Sequence, residues 1–184
     1  MPLTQLDATA ALVVIDLQKG IVSLPTAPPA AEVVERAAEL ARAFRARGCP
    51  VVWVNVAGFA PGRTDAGPPK FAFPPDWAEL SEKLGVQPND LRVTKQRWGA
   101  FLRTNLHEQL KSRGVTQIFL AGISTSAGVE STARSAYDLG YNVVLITDAM
   151  TDRDIDSHRH SVEKVFPRLG ETENSQNVLR MLQK

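Results

Sequence analysis

Three places along the chain carry groups able to do chemistry. Asp16 and Gln18 stand directly beyond an unbroken apolar run that ends in Val13, Val14 and Ile15. Lys95 follows a shorter run at 91–94 and precedes two aromatic residues, Trp98 and Phe101. Residues 122–134 (GISTSAGVESTAR) are a turn of small residues entering a helical pattern. A carboxyl and an ammonium group at one place can move a proton or hold a charged ligand. Small residues at a helix start leave backbone N–H groups open to an anion or a developing oxyanion. Each place also has a purely structural reading. Asp16 can cap a turn, Ser124, Thr125 or Ser126 can cap the helix, Lys95 can be a surface charge, and Trp98 and Phe101 can pack a core or a subunit interface instead of walling a pocket. No phosphate loop is present, because the turn lacks a Gly-Lys-Ser/Thr ending, and no Gly-x-Gly-x-x-Gly pattern follows the first run. Of the three histidines, His107 falls on the exposed side of a helical pattern, and His158 and His160, two apart, diverge on a helix instead of chelating.

Positioning these groups requires a particular scaffold. Four apolar runs rich in β-branched residues, at 10–15, 51–56, 117–121 and 142–147, read as strands buried on both faces, as a parallel sheet covered by helices demands. Between the first two, residues 31–47 place Val33, Ala37, Leu40, Ala41 and Phe44 on one helical face, and Gly48 ends the pattern. A second helix spans 104–113 with Thr104 as its N-cap, and a third runs over about 127–139. Strand, helix, glycine, strand recurs three times, which argues for right-handed βαβ crossovers and a doubly wound sheet. Shorter patterns predict a strand at 91–94 and helices at 156–166 and 177–182. In such a sheet the ligand crevice lies outside the carboxyl ends of the strands, where Asp16, Lys95 and the 122–128 turn all fall.

Composition narrows the partners. A chain of 184 residues with 43% hydrophobic residues is the size of one domain. Its net charge of +1 gives no field to draw nucleic acid or an anionic membrane, so a small molecule is the expected partner. No run approaches the roughly 20 apolar residues of a membrane span, and the first residues lack the pattern of a signal peptide, which predicts a cytoplasmic protein. The single Cys49, between a helix end and an apolar run, reads as a buried thiol at the amino end of its strand, opposite the crevice. Residues 57–91 form a long Pro-rich connection with Phe59, Phe71, Phe73 and Trp77, a place for specificity or for contacts between copies.

Taken in order, residues 12–18 (LVVIDLQ), 95–101 (KQRWGAF) with Thr104 and Leu106, 122–125 (GIST) and 129–134 (VESTAR) resemble the isochorismatase-like, or cysteine hydrolase, family over nearly the whole chain. The resemblance implies one isochorismatase-like domain over 1–184 and a Rossmann-like α/β fold, with a mainly parallel six-stranded sheet and helices on both faces. It also implies a non-proline cis peptide near Ile123 and Ser124, and a homo-oligomer drawing on residues 71–77. The family's catalytic Asp and Lys fall on Asp16 and Lys95. Its Cys falls on Gly128. Nicotinamidase-like and carbamoyl amidase members form a thioester on that Cys, which a glycine cannot do. Isochorismatases that also have Gly there cleave a vinyl ether by protonation, with the Asp as general acid.

The expectation is therefore a hydrolase acting on a small anionic or cyclic metabolite without a covalent intermediate, with Asp16 as acid, Lys95 orienting the acid or pairing with a substrate carboxylate, and the Gly128 turn presenting backbone donors. Gln18, Trp98, Phe101, Ser124, Thr125 and Ser126 are the expected substrate contacts. A non-catalytic binding paralogue and an amidase using water, Ser124 or Ser126 are the alternatives. Where nicotinamidase-type members hold a metal cluster, residues 53–59 (WVNVAGF) contain no histidine, so no metal and no cofactor are expected. One energetic condition comes with the acid: Lys95 lowers the carboxyl pKa, and burial together with a bound substrate carboxylate has to outweigh it.

Overall fold

The computed structural model describes residues 3–67 and 73–183. Its centre is a six-stranded, all-parallel sheet in the order β3-β2-β1-β4-β5-β6, formed by β1 (Ala10–Ile15), β2 (Val51–Val56), β3 (Leu91–Lys95), β4 (Gln117–Ile123), β5 (Asn142–Thr151) and β6 (Glu171–Glu173). Successive side chains of a strand point to opposite faces, so β1 serves two cores. Leu12 and Val14 pack with Trp53 and Phe119 under α2 (Ala30–Ala46), which contributes Val33, Ala37, Leu40, Ala41 and Phe44. Ala11, Val13 and Ile15 pack with Val52 and Leu120 on the other face, under α3 (Leu106–Lys111) and α4 (Glu130–Asp138). Of the other helices, α6 (Ser175–Leu182) packs on β5 and α2, α5 (Ile155–His160) lies against the turn that begins at Thr125, and one short turn of helix, α1 (Lys19–Val22), follows β1. The chain is thus the doubly wound α/β fold that its runs of β-branched residues predict.

Several boundaries differ from the sequence reading, each for a local reason. The third and fourth apolar runs continue to Ile123 and Thr151, beyond their most hydrophobic parts. The second helix starts at Leu106, because the Thr104 hydroxyl donates to Ala100 O at 2.5 Å as well as accepting from Leu106 N–H at 3.3 Å. The third begins as a wide turn at Thr125–Val129 before tightening into α4. The pattern at 156–166 is α5, capped by the Asp154 carboxylate, followed by a wide turn at Ser161–Val165 and a tight one at Phe166–Arg168. Neither α1 nor β6 is visible as a pattern, the one for its shortness, the other for its polar sequence, Glu-Thr-Glu. His107 is half-buried, with Nδ1 2.9 Å from the Tyr141 hydroxyl, so it is not a free surface histidine.

Strand order reverses around β1: β2 and β3 lie on one side, β4 to β6 on the other. A crevice opens at such a switch point, and the ends of β1 and β4 bound it. Their approach there is close. Gly122 has φ +121°, and a Cβ on it would lie 2.0 Å from Ile15 O, so only glycine lets β4 run this near to β1. Among the described residues no helix is long and apolar enough to cross a membrane. Of the aromatic residues at 71–77, Phe71 lies outside the described residues, while Phe73 and Trp77 pack on each other within the chain, ring centres 4.1 Å apart.

Candidate active site at the strand ends

Asp16 is the first residue beyond β1 and takes up a left-handed backbone conformation, φ 52°. Its N–H donates to Val54 O at 2.9 Å, which fixes the residue against β2. The carboxyl group is 5% exposed as part of its residue, and its two oxygens differ. Oδ2 accepts from Lys95 Nζ at 2.7 Å, while Oδ1 is buried and has no hydrogen-bond partner among the described residues. Lys95, the last residue of β3, is 2% exposed and also donates to Arg97 O at 3.0 Å. Burial pushes the Asp16 pKa up to about 6, outweighing the charge and hydrogen bond of Lys95, which pull it down. Of the two effects expected to oppose the lysine, this geometry supplies burial.

Gly128 completes the group. It lies in the wide turn between β4 and α4, which the Thr132 hydroxyl steadies by donating to Gly128 O at 2.6 Å. A Cβ at this position would sit 3.3 Å from Asp16 Oδ2 and 3.0 Å from Ile15 Cγ2. Any side chain here would therefore enter the space beside the carboxyl. The Ile123–Ser124 peptide bond just before the turn is cis.

Together these residues line a cleft of about 180 Å³, with Ile21, Phe59, Trp77, Arg97, Trp98 and Ser124 among its walls. Trp98 stands at the rim, 68% exposed. Trp77 is carried in by an antiparallel contact between Gln18 and Leu80 and by a hydrogen bond from Gly20 N–H to Trp77 O at 3.1 Å. Its indole occupies the place where a Cβ on residue 20 would be, so Gly20 makes room for the wall.

Four expected substrate contacts lie behind the cleft wall. The Gln18 amide is fully buried and bound to backbone: Nε2 donates to Val56 O and Trp77 O, and Oε1 accepts from Val56 N–H at 2.8 Å. It ties β1 to β2 and to the Trp77 segment. Phe101 is in the core and stacks on Tyr141, ring centres 5.8 Å apart. The Thr125 hydroxyl is 2.8 Å from His158 Nδ1, and Ser126 gives both its N–H and its hydroxyl to the Asp152 carboxylate. Ser124 O accepts from the N–H groups of Ala127 and Val129. The turn thus has fewer open backbone donors than its small residues suggest.

The site also contains residues the sequence reading passed over. Arg97 stands two places from Lys95 in the same 95–101 segment, from which the sequence points to Lys95, Trp98 and Phe101. Asp152 was missed because β5 was expected to end at 147, and its pairing with Ser126 spans 26 residues. The one thiol, Cys49, lies between the end of α2 and the start of β2, half-buried, with its pKa raised by burial. That is the opposite end of the sheet from Asp16. Among the described residues, no group of three or more His, Cys, Asp or Glu is placed to hold a metal ion.

Known proteins are similar to the chain over nearly its whole length. The model of the isochorismatase domain matches residues 10–177. YecD of Escherichia coli O157:H7, an uncharacterised isochorismatase family protein, is 41% identical over 181 residues, covering 95% of this chain and 96% of its own. The streptothricin hydrolase of Streptomyces noursei is 36% identical over 79% of this chain, which spans 50% of that enzyme. A solved isochorismatase family protein from Burkholderia thailandensis superposes with a TM-score of 0.93 at 44% identity, covering 97% of this chain and 98% of that one. On the match of nearly its whole length, the chain belongs to the isochorismatase family of hydrolases.

Proposed function

We propose that the chain hydrolyses a small cyclic, carboxylate-bearing metabolite by proton donation from Asp16, with no covalent enzyme intermediate. The observation that carries this reading is the state of the Asp16 carboxyl: buried, with one oxygen unpartnered and its pKa at about 6, facing a cleft where position 128 has no side chain. A carboxyl group with that pKa keeps its proton in about a tenth of molecules at pH 7 and in more at lower pH, and so can act as a general acid. On a vinyl ether such as isochorismate, Asp16 protonates the terminal methylene carbon. Water adds to the resulting oxocarbenium ion, and the hemiketal collapses to pyruvate and the ring alcohol. Asp16 recovers its proton from the water consumed. Lys95 holds the carboxyl in place through Oδ2.

The likeness to a streptothricin hydrolase favours a second reading, hydrolysis of an amide by activated water or by serine. Ser124 is the serine that lines the cleft. No hydrogen bond links its hydroxyl to a described base, so a serine nucleophile lacks the activation it needs. Incubation with isochorismate and with a panel of primary amides, following pyruvate and ammonia, separates the two. Pyruvate supports the acid reading, ammonia the amide reading, and release of neither leaves a ligand-binding protein.

Gly128→Cys tests the vacancy beside Asp16. The new side chain would start 3.3 Å from Asp16 Oδ2, with Ile15 Cγ2 yielding by a few tenths of an ångström. The expected outcome is a thioester with an amide substrate, seen as an acyl adduct on residue 128 by intact-protein mass spectrometry, and obstruction of the original reaction. Assembly is a further part of the proposal: Trp98, Leu102 and Tyr137 are all more than half exposed, which supports a homo-oligomer. Light scattering is expected to give at least twice the chain mass.

A further inference from the structure

Once Lys95 is paired with Asp16, a single cation in the cleft wall has no carboxylate partner. Arg97 is half-buried and lines the cleft. Its Nη1 donates to Gln96 O at 2.7 Å and to Phe59 O at 3.2 Å, so the guanidinium is held between the two sides of the opening. Among the described residues no carboxylate forms an ion pair with it, and Nε and Nη2 have no hydrogen-bond partner. Asp16 is the one carboxyl group among the lining residues, against two cations, Lys95 and Arg97. The rest of the wall is mostly apolar and includes three aromatic residues, Phe59, Trp77 and Trp98.

A guanidinium with its Nε–Nη2 edge open can bind a carboxylate at two points. Aromatic faces favour a flat, apolar ring. The volume of about 180 Å³ is below the range of roughly 300–1,000 Å³ for pockets that take drug-sized ligands, so a ring-sized molecule is indicated.

We infer that Arg97 is the specificity residue of this site, and that it selects a carboxylate carried on a small planar ring, with the ring seated among Phe59, Trp77 and Trp98. That the ligand is a substrate rests on the proposed hydrolysis. Its charge and shape rest on Arg97 and the aromatic wall. Binding also places the ligand's negative charge close to Asp16, which favours the protonated form of the acid.

Arg97 has a rival, merely structural role as a clamp on the Gln96 and Phe59 carbonyls, and charge selectivity distinguishes the two. Benzoate and nitrobenzene are nearly the same shape and differ in charge. In calorimetric titrations the wild-type protein is expected to bind benzoate at least about tenfold more tightly than nitrobenzene, about the worth of one charge-assisted contact. Arg97→Gln should remove that preference while leaving nitrobenzene binding unchanged, and Arg97→Lys should keep part of it. Equal binding of the two ligands by the wild type overturns the inference, as does an Arg97→Gln variant that weakens both alike or keeps the preference. Benzoate affinity weaker than about 10 mM also overturns it. None of these outcomes depends on turnover, so the inference and the hydrolytic reading fail separately.

Discussion

Asp16→Asn is expected to lower the rate of product release by about a hundred- to ten-thousand-fold, the usual worth of a positioned general acid. Asparagine is the apt replacement because it tolerates the left-handed conformation at this position, φ 52°. It also keeps the shape of the side chain while having no acidic proton to give. Steady-state assays on folded variant, with circular dichroism as the check on folding, read this out. Ser124→Ala and alkylation of Cys49 should leave the rate essentially unchanged, the first because no base contacts the hydroxyl, the second because the thiol is at the far end of the sheet. Activity that survives Asp16→Asn and disappears with Ser124→Ala would replace the acid by a serine nucleophile.

The buried pair of Asp16 and Lys95 also bears on stability, both side chains being nearly inaccessible to water. The raised pKa of Asp16 means that the fold holds this carboxyl more readily neutral than charged, even beside the lysine. Asp16→Asn, whose amide carries no charge to bury, is therefore expected to keep or raise stability in urea denaturation at pH 7. A loss of about 3–5 kcal/mol, the usual cost of breaking a buried ion pair, would show that the pair is ionised and stabilising. The pH dependence has a definite sign. Because the fold raises the Asp16 pKa from 3.8 to about 6, the native state holds the proton more tightly than the unfolded chain between these values. Stability falls as pH rises through that window, by about 3 kcal/mol from this one group, and the loss is complete above about 6. Asp16→Asn removes that slope.

What could be read from the chain followed from how each feature is encoded. β1, β2, β4 and α2 are long, apolar and locally patterned, so they were legible. β6 is three residues of mostly charged sequence at a sheet edge, and it exists because β5 offers it an open side. Asp16, Lys95 and Gly128 could be placed in one crevice because each follows a strand end, and strand ends on one edge converge. The fate of Gln18 could not be read: an amide beyond a strand looks alike whether it faces a ligand or, as here, the backbone of Val56 and Trp77. Thr125 and Ser126 are held by His158 and Asp152, partners 33 and 26 residues away, and no local pattern announces such contacts. Phe101 had two open readings, and only packing against Tyr141 decides between them.

On the proposed reading, Asp16 works in its protonated form. The most direct test is the pH dependence of kcat/KM, which reports ionisations of the free enzyme. With the Asp16 pKa at about 6, kcat/KM is expected to be level at lower pH and to fall about tenfold per pH unit above it, as the acid is lost. A kcat/KM that rises through about 6 and stays level above would mean that the carboxylate is the working form, and would contradict the account.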